Sequence, residues 1–127
     1  MSNQKFYVCE HCGNLVGMIN DAGVPLMCCG ERMSELVPNT VEASAEKHLP
    51  VIDVKGDTVT VSVGSVDHPM TAEHYIKWVC LTTDKGNQRK FLKPEDAPVA
   101  SFKLLEGETV KAAIAFCNLH GLWKTEA

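Results

Sequence analysis

The chain has 127 residues, of which 45% are hydrophobic and 22% are charged, and its formal net charge is −4 at pH 7. This length suffices for one ordinary domain, or for one domain with a small metal-bound module, and the composition is that of a globular protein. Proteins that bind nucleic acids or anionic membranes do so largely through lysine and arginine. Because this chain is acidic, we expect neither a nucleic-acid partner nor a membrane partner.

The N-terminal residues contain no apolar run of the kind found in a secretory signal peptide. No stretch of the sequence approaches the roughly 18–20 apolar residues that cross a bilayer. We therefore expect a cytoplasmic protein, and in that compartment thiols stay reduced. The six cysteines are accordingly interpreted as metal ligands or reactive groups before they are interpreted as disulfides.

Residues 1–38 are predicted to form a first domain that needs a metal to fold, because they contain few apolar residues. Cys9-x2-Cys12 is followed by the adjacent pair Cys28-Cys29. Four thiolates in so short a segment predict a tetrahedral zinc or iron site, with two disulfides as the alternative. Adjacent ligands distort such a site, which favours a redox metal. His11 lies inside the first motif and is predicted to be a surface residue.

Residues 39–127 are predicted to form a second domain that is mainly β. A connector over 39–48 has weak helical character, and a Gly56-Asp57 turn joins the first two strands into a hairpin. Short strands at this spacing predict an antiparallel sandwich or barrel. Cys80 falls on one face of a strand and is predicted to be a small buried hydrophobic residue. The predicted strands are 51–55, 58–63, 75–83, 88–92, 100–105 and 109–116.

The other histidines lie where predicted elements begin or end, and residues in such places can converge on one end of a sandwich. Each of these histidines taken singly is better explained as a surface residue, whereas Cys117-x2-His120 favours a ligand pair. Five donors exceed the four that zinc usually takes, and imidazoles with a thiolate suit iron or copper. A blue copper site would place a methionine after the last histidine, and residues 121–127 contain none. The five candidate ligands are His48, His68, His74, Cys117 and His120.

Over essentially its whole length the sequence resembles the desulfoferrodoxins, the two-iron superoxide reductases. The resemblance implies a rubredoxin-like N-terminal module with a distorted Fe(Cys)4 centre. It also implies an immunoglobulin-like β-barrel with an Fe(His)4(Cys) centre. The motifs that carry the resemblance are Cys9-x2-Cys12 with Cys28-Cys29, Glu46-Lys47-His48-x-Pro50, His68-Pro69-Met70, His74-Tyr75-Ile76-x-Trp78 and Cys117-Asn-x-His120-Gly121-x-Trp123.

The resemblance also implies an activity and the roles of individual residues. The four histidines would be equatorial iron ligands and Cys117 the axial ligand. The centre would reduce superoxide to hydrogen peroxide without producing dioxygen, and so detoxify superoxide. Lys47 would attract the anion and order water, while Glu46 would bind ferric iron once the product has left. A homodimer and a rubredoxin-type electron donor are implied as well.

A second class of function remains open at this stage. The four-cysteine module would then be a zinc knuckle, and the barrel would be a non-catalytic electron carrier or would bind a partner. The metal content of the purified protein separates this alternative from the iron enzyme.

Overall fold

The computed structural model describes residues 4–127, and antiparallel β-strands make up most of its regular structure. Contacts within the chain divide it into two compact units, with the boundary between Val37 and Pro38. The mainly β fold class predicted from the sequence is confirmed. Over the described residues, no helix is long and apolar enough to cross a membrane.

The N-terminal unit is a set of short strands around a very small core. In chain order these are β1 (Phe6–Val8), β2 (Leu15–Gly17), β3 (Met27–Cys28), β4 (Glu31–Arg32) and β5 (Ser34–Leu36). Strand β1 lies between β2 and β5 in one sheet, and β3 pairs with β4 in a separate hairpin. The buried apolar residues of the described part of this unit are Phe6, Cys9 and Met33. So small a core does not offset the entropy of ordering the chain, and a bound metal supplies the difference.

The C-terminal unit has one helical turn and two antiparallel sheets. The first sheet has the order β10-β7-β6 and the second has the order β12-β11-β8-β9. In chain order the elements are α1 (Ala45–His48), β6 (Pro50–Lys55), β7 (Thr58–Val63), β8 (Ile76–Thr83), β9 (Gly86–Phe91), β10 (Val99–Lys103), β11 (Val110–Cys117) and β12 (Gly121–Glu126).

The β6–β7 hairpin follows from its local sequence. Lys55 pairs with Thr58 across the predicted Gly56-Asp57 turn, and Gly56 has a φ of 62° that a residue without a Cβ adopts at little cost. Alternate residues of β7 are fully buried and face the core between the sheets. The predicted hairpin is therefore confirmed.

Strand β8 is buried on both faces, apart from Lys77 near its start. Val79 and Leu81 join the core between the sheets. On the other face the Trp78 ring stacks on Phe116, with 5.6 Å between ring centroids. Cys80 is fully buried, so its predicted role as a buried hydrophobic residue is confirmed. The strand is central in its sheet, and neighbouring side chains cover both of its surfaces.

Strand β12 was not among the strands predicted from the sequence. It pairs with β11 from Cys117↔Gly121 to Ala112↔Glu126. Cys117 also pairs with Ile76 at the start of β8, while Pro50 pairs with Val63 in the other sheet. These pairings bring the start of β6, the end of β7, the start of β8 and the end of β11 to one end of the C-terminal unit.

Candidate metal centres

The four cysteines of the N-terminal unit form a compact cluster. Their sulfur atoms all lie within 4.8 Å of one another, and the Sγ atoms of Cys12 and Cys28 are 3.6 Å apart. The backbone N–H of Cys12 points to Cys9 Sγ at 3.5 Å, and the Asn14 side-chain amide points to Cys28 Sγ at 3.6 Å. Four sulfurs at this spacing are a donor set for tetrahedral zinc or iron.

The adjacent pair Cys28-Cys29 reaches this cluster through its backbone conformation. Cys28 ends β3, and Cys29 has a φ of 53°, in the left-handed region that non-glycine residues rarely adopt. Gly30 follows with a φ of 75° and completes the turn into β4. This turn lets two successive side chains direct their sulfurs to the same place, at a strain of about 1–2 kcal/mol at Cys29.

Two thiols of the cluster, those of Cys9 and Cys29, differ strongly in pKa. The backbone N–H of Cys12 stabilises a thiolate at Cys9 and lowers the Cys9 pKa to about 6. Hydrogen bonding to Cys12, and then to Cys9 and Cys28, raises the pKa of Cys29 to about 12. Four neighbouring thiolates would repel one another without a metal ion. A bound cation removes the protons from the thiols that coordinate it and stabilises the four negative charges together.

His11 lies outside this cluster, as the sequence predicted. Its side chain is 53% exposed and its Nε2 faces the Glu31 carboxylate. The four sulfurs already fill a tetrahedron, so His11 is a surface residue on the loop between β1 and β2.

Four histidine rings and one cysteine come together at the end of the C-terminal unit. His48 is the last residue of α1, and His68 lies in the loop after β7. His74 precedes β8, and the turn between β11 and β12 carries Cys117 and His120. The structure therefore brings together all five residues that the sequence singled out, from four separate parts of the unit.

The four imidazoles form a ring in space. Going round it, the centroid distances are 4.6 Å from His48 to His68, 4.6 Å from His68 to His74, 5.0 Å from His74 to His120, and 5.0 Å from His120 back to His48. Neighbouring rings are nearly perpendicular, at 76° to 86°. Across the ring, His48 and His74 are 6.3 Å apart and tilted by 32°. Four donors in this order suit the equatorial plane of one metal ion.

The nitrogen atoms identify which edge of each ring faces the centre. His48 Nε2 lies 3.1 Å from His68 Nε2 and 3.2 Å from His120 Nδ1. The outward nitrogens are held instead by carbonyl oxygens, His48 Nδ1 by Ser44 at 2.7 Å and His68 Nδ1 by Pro69 at 2.6 Å. This arrangement, with a backbone acceptor behind an inward nitrogen, is typical of metal-binding histidines.

Cys117 supplies the fifth donor. It is fully buried, and its sulfur lies 3.9 Å from His120 Nδ1 and accepts the backbone N–H of His120 at 3.4 Å. The sulfur lies within 4.8 Å of ligand atoms of His48, His74 and His120. Burial raises the pKa of the Cys117 thiol, so a cation beside it is needed to hold the thiolate.

The chemistry of these donors fits a metal ion. Burial lowers the pKa of His48, His74 and His68, in the last case to about 4, and so favours the neutral imidazole, whose lone pair can bind a metal ion. His74 Nε2 is buried and has no hydrogen-bond partner, which is costly unless an ion binds it. Five donors, one of them a soft thiolate, suit iron better than four-coordinate zinc.

Glu46 and Lys47 lie on α1, directly before His48, and both side chains are exposed. The charge of Lys47 contributes to the lowered pKa of both His48 and His74. The backbone carbonyl of Glu46 accepts the N–H of Val66 at 2.9 Å, which attaches α1 to the loop carrying His68.

Comparison with known proteins agrees with both clusters. The family model described as desulfoferrodoxin matches residues 40–126, and that of the desulfoferrodoxin N-terminal domain matches residues 2–36. The chain belongs to the desulfoferrodoxin family. The resemblance noted from the sequence motifs is thereby confirmed for both parts of the chain.

Named desulfoferrodoxins and superoxide reductases are similar to this chain. The desulfoferrodoxin of Nitratidesulfovibrio vulgaris is 45% identical over 128 residues, covering 100% of both chains. The superoxide reductase of Pyrococcus horikoshii is 36% identical over 98 residues, covering 64% of this chain and 85% of that protein. The crystal structure of the superoxide reductase from Treponema pallidum has a TM-score of 0.83 and 44% identity, covering 98% of this chain and 100% of that one.

The sequence did not predict the contacts that two residues make at the histidine and cysteine site of the C-terminal unit. From the sequence, Trp123 was noted only as part of a motif and as a packing residue. In the structure its ring stacks on His48, with 4.8 Å between ring centroids. Its Nε1 also donates a hydrogen bond to the His120 carbonyl at 3.1 Å. Asn118 was noted only as part of a motif, and its side chain bonds to the backbone on both sides of His74. Their positions within the Cys117–Trp123 motif were the available signal.

Proposed function

We propose that this protein is a superoxide reductase, an enzyme that reduces superoxide to hydrogen peroxide without releasing dioxygen. The observation that carries the proposal is the ring of four imidazoles with a buried cysteine sulfur at one end of the two-sheet C-terminal unit, called the barrel centre below. Five protein donors would leave room for one small ligand at a six-coordinate metal ion. The superoxide reductase from Treponema pallidum is similar in structure to 98% of this chain.

Superoxide becomes hydrogen peroxide when it gains one electron and two protons. Iron held by His48, His68, His74, His120 and Cys117 supplies that electron and a positive pole for the anion. In the proposal, the residues around the iron do the rest. The four imidazoles and the Cys117 thiolate would hold the iron, the thiolate would donate electron density to it, and water at the exposed α1 surface would provide the protons.

Lys47 is the candidate for bringing the anion to the site. The whole chain is acidic and repels superoxide at long range, whereas a local positive charge attracts it at short range. Lys47 directly precedes the candidate ligand His48 on α1 and is exposed, which supports a position at the edge of the site. We assign Lys47 to attraction of superoxide and ordering of water, and Glu46 to binding of ferric iron after the product has left.

The four-cysteine cluster is assigned a second iron that returns an electron to the barrel centre. Its sulfur-only donor set is compatible with a one-electron redox metal. We further propose a rubredoxin-type external electron donor, a homodimer and a cytoplasmic location. The free cysteines, five of which lie in candidate metal centres, are compatible with a reducing compartment.

Purified protein tests the function directly. We expect iron in both centres, a coloured ferric state, and consumption of superoxide that yields hydrogen peroxide with no dioxygen. The controls are metal-free protein and protein loaded with zinc, which should both be inactive. Zinc at both centres of protein made with iron available, together with no reaction of the iron-loaded form, would contradict the proposal and favour a zinc-stabilised binding module.

Cys117→Ser tests the axial ligand, and Cys80→Ser is its matched control. Both cysteines are fully buried in the same unit, so the two substitutions introduce the same hydroxyl into similar surroundings. We expect Cys117→Ser to lose the sulfur charge-transfer absorption of the ferric barrel centre and most activity. Cys80→Ser should keep both. The opposite pattern would assign the ligand to Cys80.

A further inference from the structure

The side chain of Asn118 joins the two segments that carry the candidate ligands. Its Oδ1 accepts the backbone N–H of Tyr75 at 2.9 Å, and its Nδ2 donates to the backbone carbonyl of Glu73 at 3.0 Å. These two groups flank His74 on either side in the chain. Asn118 itself lies between Cys117 and His120, so one amide group connects the segment of His74 to the turn that carries two other candidate ligands.

His74 is held differently from two of the other histidines in the ring. The rings of His48 and His68 are anchored directly, through Nδ1, to carbonyl oxygens of Ser44 and Pro69. The hydrogen bonds that fix His74 act on its backbone instead. Its N–H and C=O both bond within the turn to Thr71, at 3.2 Å and 2.9 Å. Asn118 then attaches that turn to the rest of the site.

The planarity of the amide makes this attachment specific. A primary amide offers an acceptor and a donor side by side, and here each is matched to a backbone group of opposite character. A carboxylate has the same shape but only acceptors, so it would set an oxygen against the Glu73 carbonyl. The main-chain bond from Asn118 N to the Tyr75 carbonyl, 3.2 Å long, does not depend on the side chain and persists in any variant.

We propose that Asn118 is a positioning residue that places His74 for iron binding, by clamping the backbone on both sides of His74 to the Cys117–His120 turn. The inference rests on the proposed function, in which His74 is an iron ligand. Outer partners that orient a metal ligand typically change metal affinity or activity 10- to 100-fold when they are removed. Asn118 does not bond to the His74 imidazole itself. It bonds to the backbone on either side of His74 and so acts on the ring indirectly.

Asn39 provides a matched control in the same unit. Its Oδ1 accepts the backbone N–H of Lys124 at 2.8 Å and its Nδ2 donates to the Lys124 carbonyl at 3.0 Å. This clamp has the same chemistry as that of Asn118 but acts on the middle of β12. Asn39→Asp and Asn118→Asp thus remove the same kind of donor from a two-bond amide clamp, and the two variants differ in which segment they release.

The experiment measures Fe(II) affinity of the barrel centre by chelator competition on the reduced full-length protein, together with the ferric absorption and EPR spectra. For Asn118→Asp we expect affinity about 10- to 100-fold lower and a shifted barrel spectrum. The four-cysteine iron should be unchanged and serves as an internal reference. For Asn39→Asp we expect both barrel readouts to equal those of the parent, even if thermal stability falls.

Two results would overturn the inference. Asn118→Asp could match the parent in affinity and spectrum, or Asn39→Asp could change both as much as Asn118→Asp does. His74→Ala, measured in parallel, separates the two levels of the argument. If His74→Ala weakens iron binding and Asn118→Asp does not, only the clamp is wrong; if His74→Ala has no effect, the ligand assignment is wrong. Should Asn118→Asp not fold, Asn118→Ala is measured in its place and judged by the same criteria.

Discussion

At the scale of single residues, His48 illustrates how a ring is fixed before any metal binds. Its Nδ1 is held by the Ser44 carbonyl, and Trp123 stacks on its face at 28° between ring planes. The ring is also buried. Each contact removes rotational freedom from the imidazole, so less entropy is lost when the inward nitrogen binds iron. The tryptophan acts on two of the candidate ligands, because its N–H also bonds the His120 carbonyl.

The proposed role of Lys47 predicts a change in both the rate with superoxide and its dependence on salt. Two unit charges about 4 Å apart in water interact by about 1 kcal/mol, which corresponds to a roughly five-fold change in rate. Lys47→Ala should therefore slow the bimolecular reaction about five-fold and flatten its decline with ionic strength, and Lys47→Glu should slow it further. Pulse radiolysis of the reduced protein over a salt series measures both quantities.

Lys55→Ala is the control for this prediction. Lys55 is exposed at the far end of β6, about 17 Å along the strand from Pro50 at about 3.3 Å per residue. The Debye length at 0.1 M salt is about 10 Å, so its charge is largely screened from the site. Equal rates for Lys47→Ala and the parent, with the same salt slope, would show that Lys47 is only a solvated surface charge.

At the scale of elements, α1 depends on the loop that follows β7. A helix of one turn is not stable alone, and here its carbonyls accept from that loop. Val66 N–H and the Ser65 hydroxyl both donate to the Glu46 carbonyl, at 2.9 Å and 3.2 Å. Gly64 lies so close that a Cβ at this position would be 2.7 Å from the Glu46 oxygen and 2.9 Å from the Leu49 oxygen. The loop and the helix are thus packed backbone against backbone.

Gly64→Ala should displace α1, and with it His48 and Lys47. Neither backbone oxygen can rotate away as a side chain would, so we expect a loss of about 1–3 kcal/mol of unfolding free energy and a changed ferric spectrum of the barrel centre. Urea unfolding and visible absorption measure the two effects. Gly17→Ala is the control, since its Cβ would meet the Phe6 ring at 3.1 Å in the other unit. An unchanged barrel spectrum in Gly64→Ala would contradict the expected displacement.

The Glu108 carboxylate, in the turn between β10 and β11, should make the stability of the fold depend on pH. The Glu108 carboxylate accepts the Thr83 hydroxyl at 2.6 Å and the Leu105 N–H at 2.9 Å. These bonds, the Thr83 bond first, lower the Glu108 pKa below its ordinary value of 4.5. A carboxyl whose pKa is lower in the folded state stabilises the fold above 4.5, and that contribution is lost as the pH falls below it.

Glu108→Gln should therefore show a smaller decrease in its urea midpoint than the parent as the pH is lowered through 4.5. Glu106→Gln, an exposed position in the same turn, is the control and should retain the pH dependence of the parent. Identical pH profiles for Glu108→Gln and the parent would remove Glu108 as a source of acid sensitivity.

At the scale of the whole molecule, the chain consists of two units with different sources of stability. The C-terminal unit has a core of buried aliphatic side chains between two sheets, whereas the described part of the N-terminal unit buries very few. The hydrophobic effect therefore stabilises the barrel without a metal, while the small unit depends on its four-sulfur centre. All candidate ligands of the barrel centre lie in the C-terminal unit.

This difference predicts that the two centres are lost independently. Cys12→Ser should lose the four-cysteine iron and unfold the N-terminal unit, while the barrel keeps its iron and its fast reaction with superoxide. Iron content, EPR and pulse radiolysis measure these outcomes. His11→Ala, an exposed position in the same loop, should keep both irons. Loss of barrel iron in Cys12→Ser would show that the barrel centre depends on the N-terminal unit.

Local patterns in the sequence were enough to predict several parts of this protein. Alternation in Thr58–Val63 and the Gly56-Asp57 turn predicted the hairpin because strand period and turn chemistry are encoded by neighbouring residues. The cysteine spacing predicted a sulfur cluster. The histidine motifs indicated the family, and the family resemblance implied which histidines and which cysteine are the candidate ligands of the second centre. The mainly β class followed from the same short-range signals.

Tertiary structure decided the features that depend on pairing between distant residues. The register that sets Cys117 opposite both Gly121 and Ile76 brings His74 and His120 to one ring, and no local pattern encodes such a register. The two-sided burial of β8 follows from its central place in the sheet, and β12 appeared only as the partner of β11. The Asn118 clamp likewise exists because two segments far apart in sequence present a backbone donor and acceptor to one amide, which only the folded chain brings within hydrogen-bonding distance.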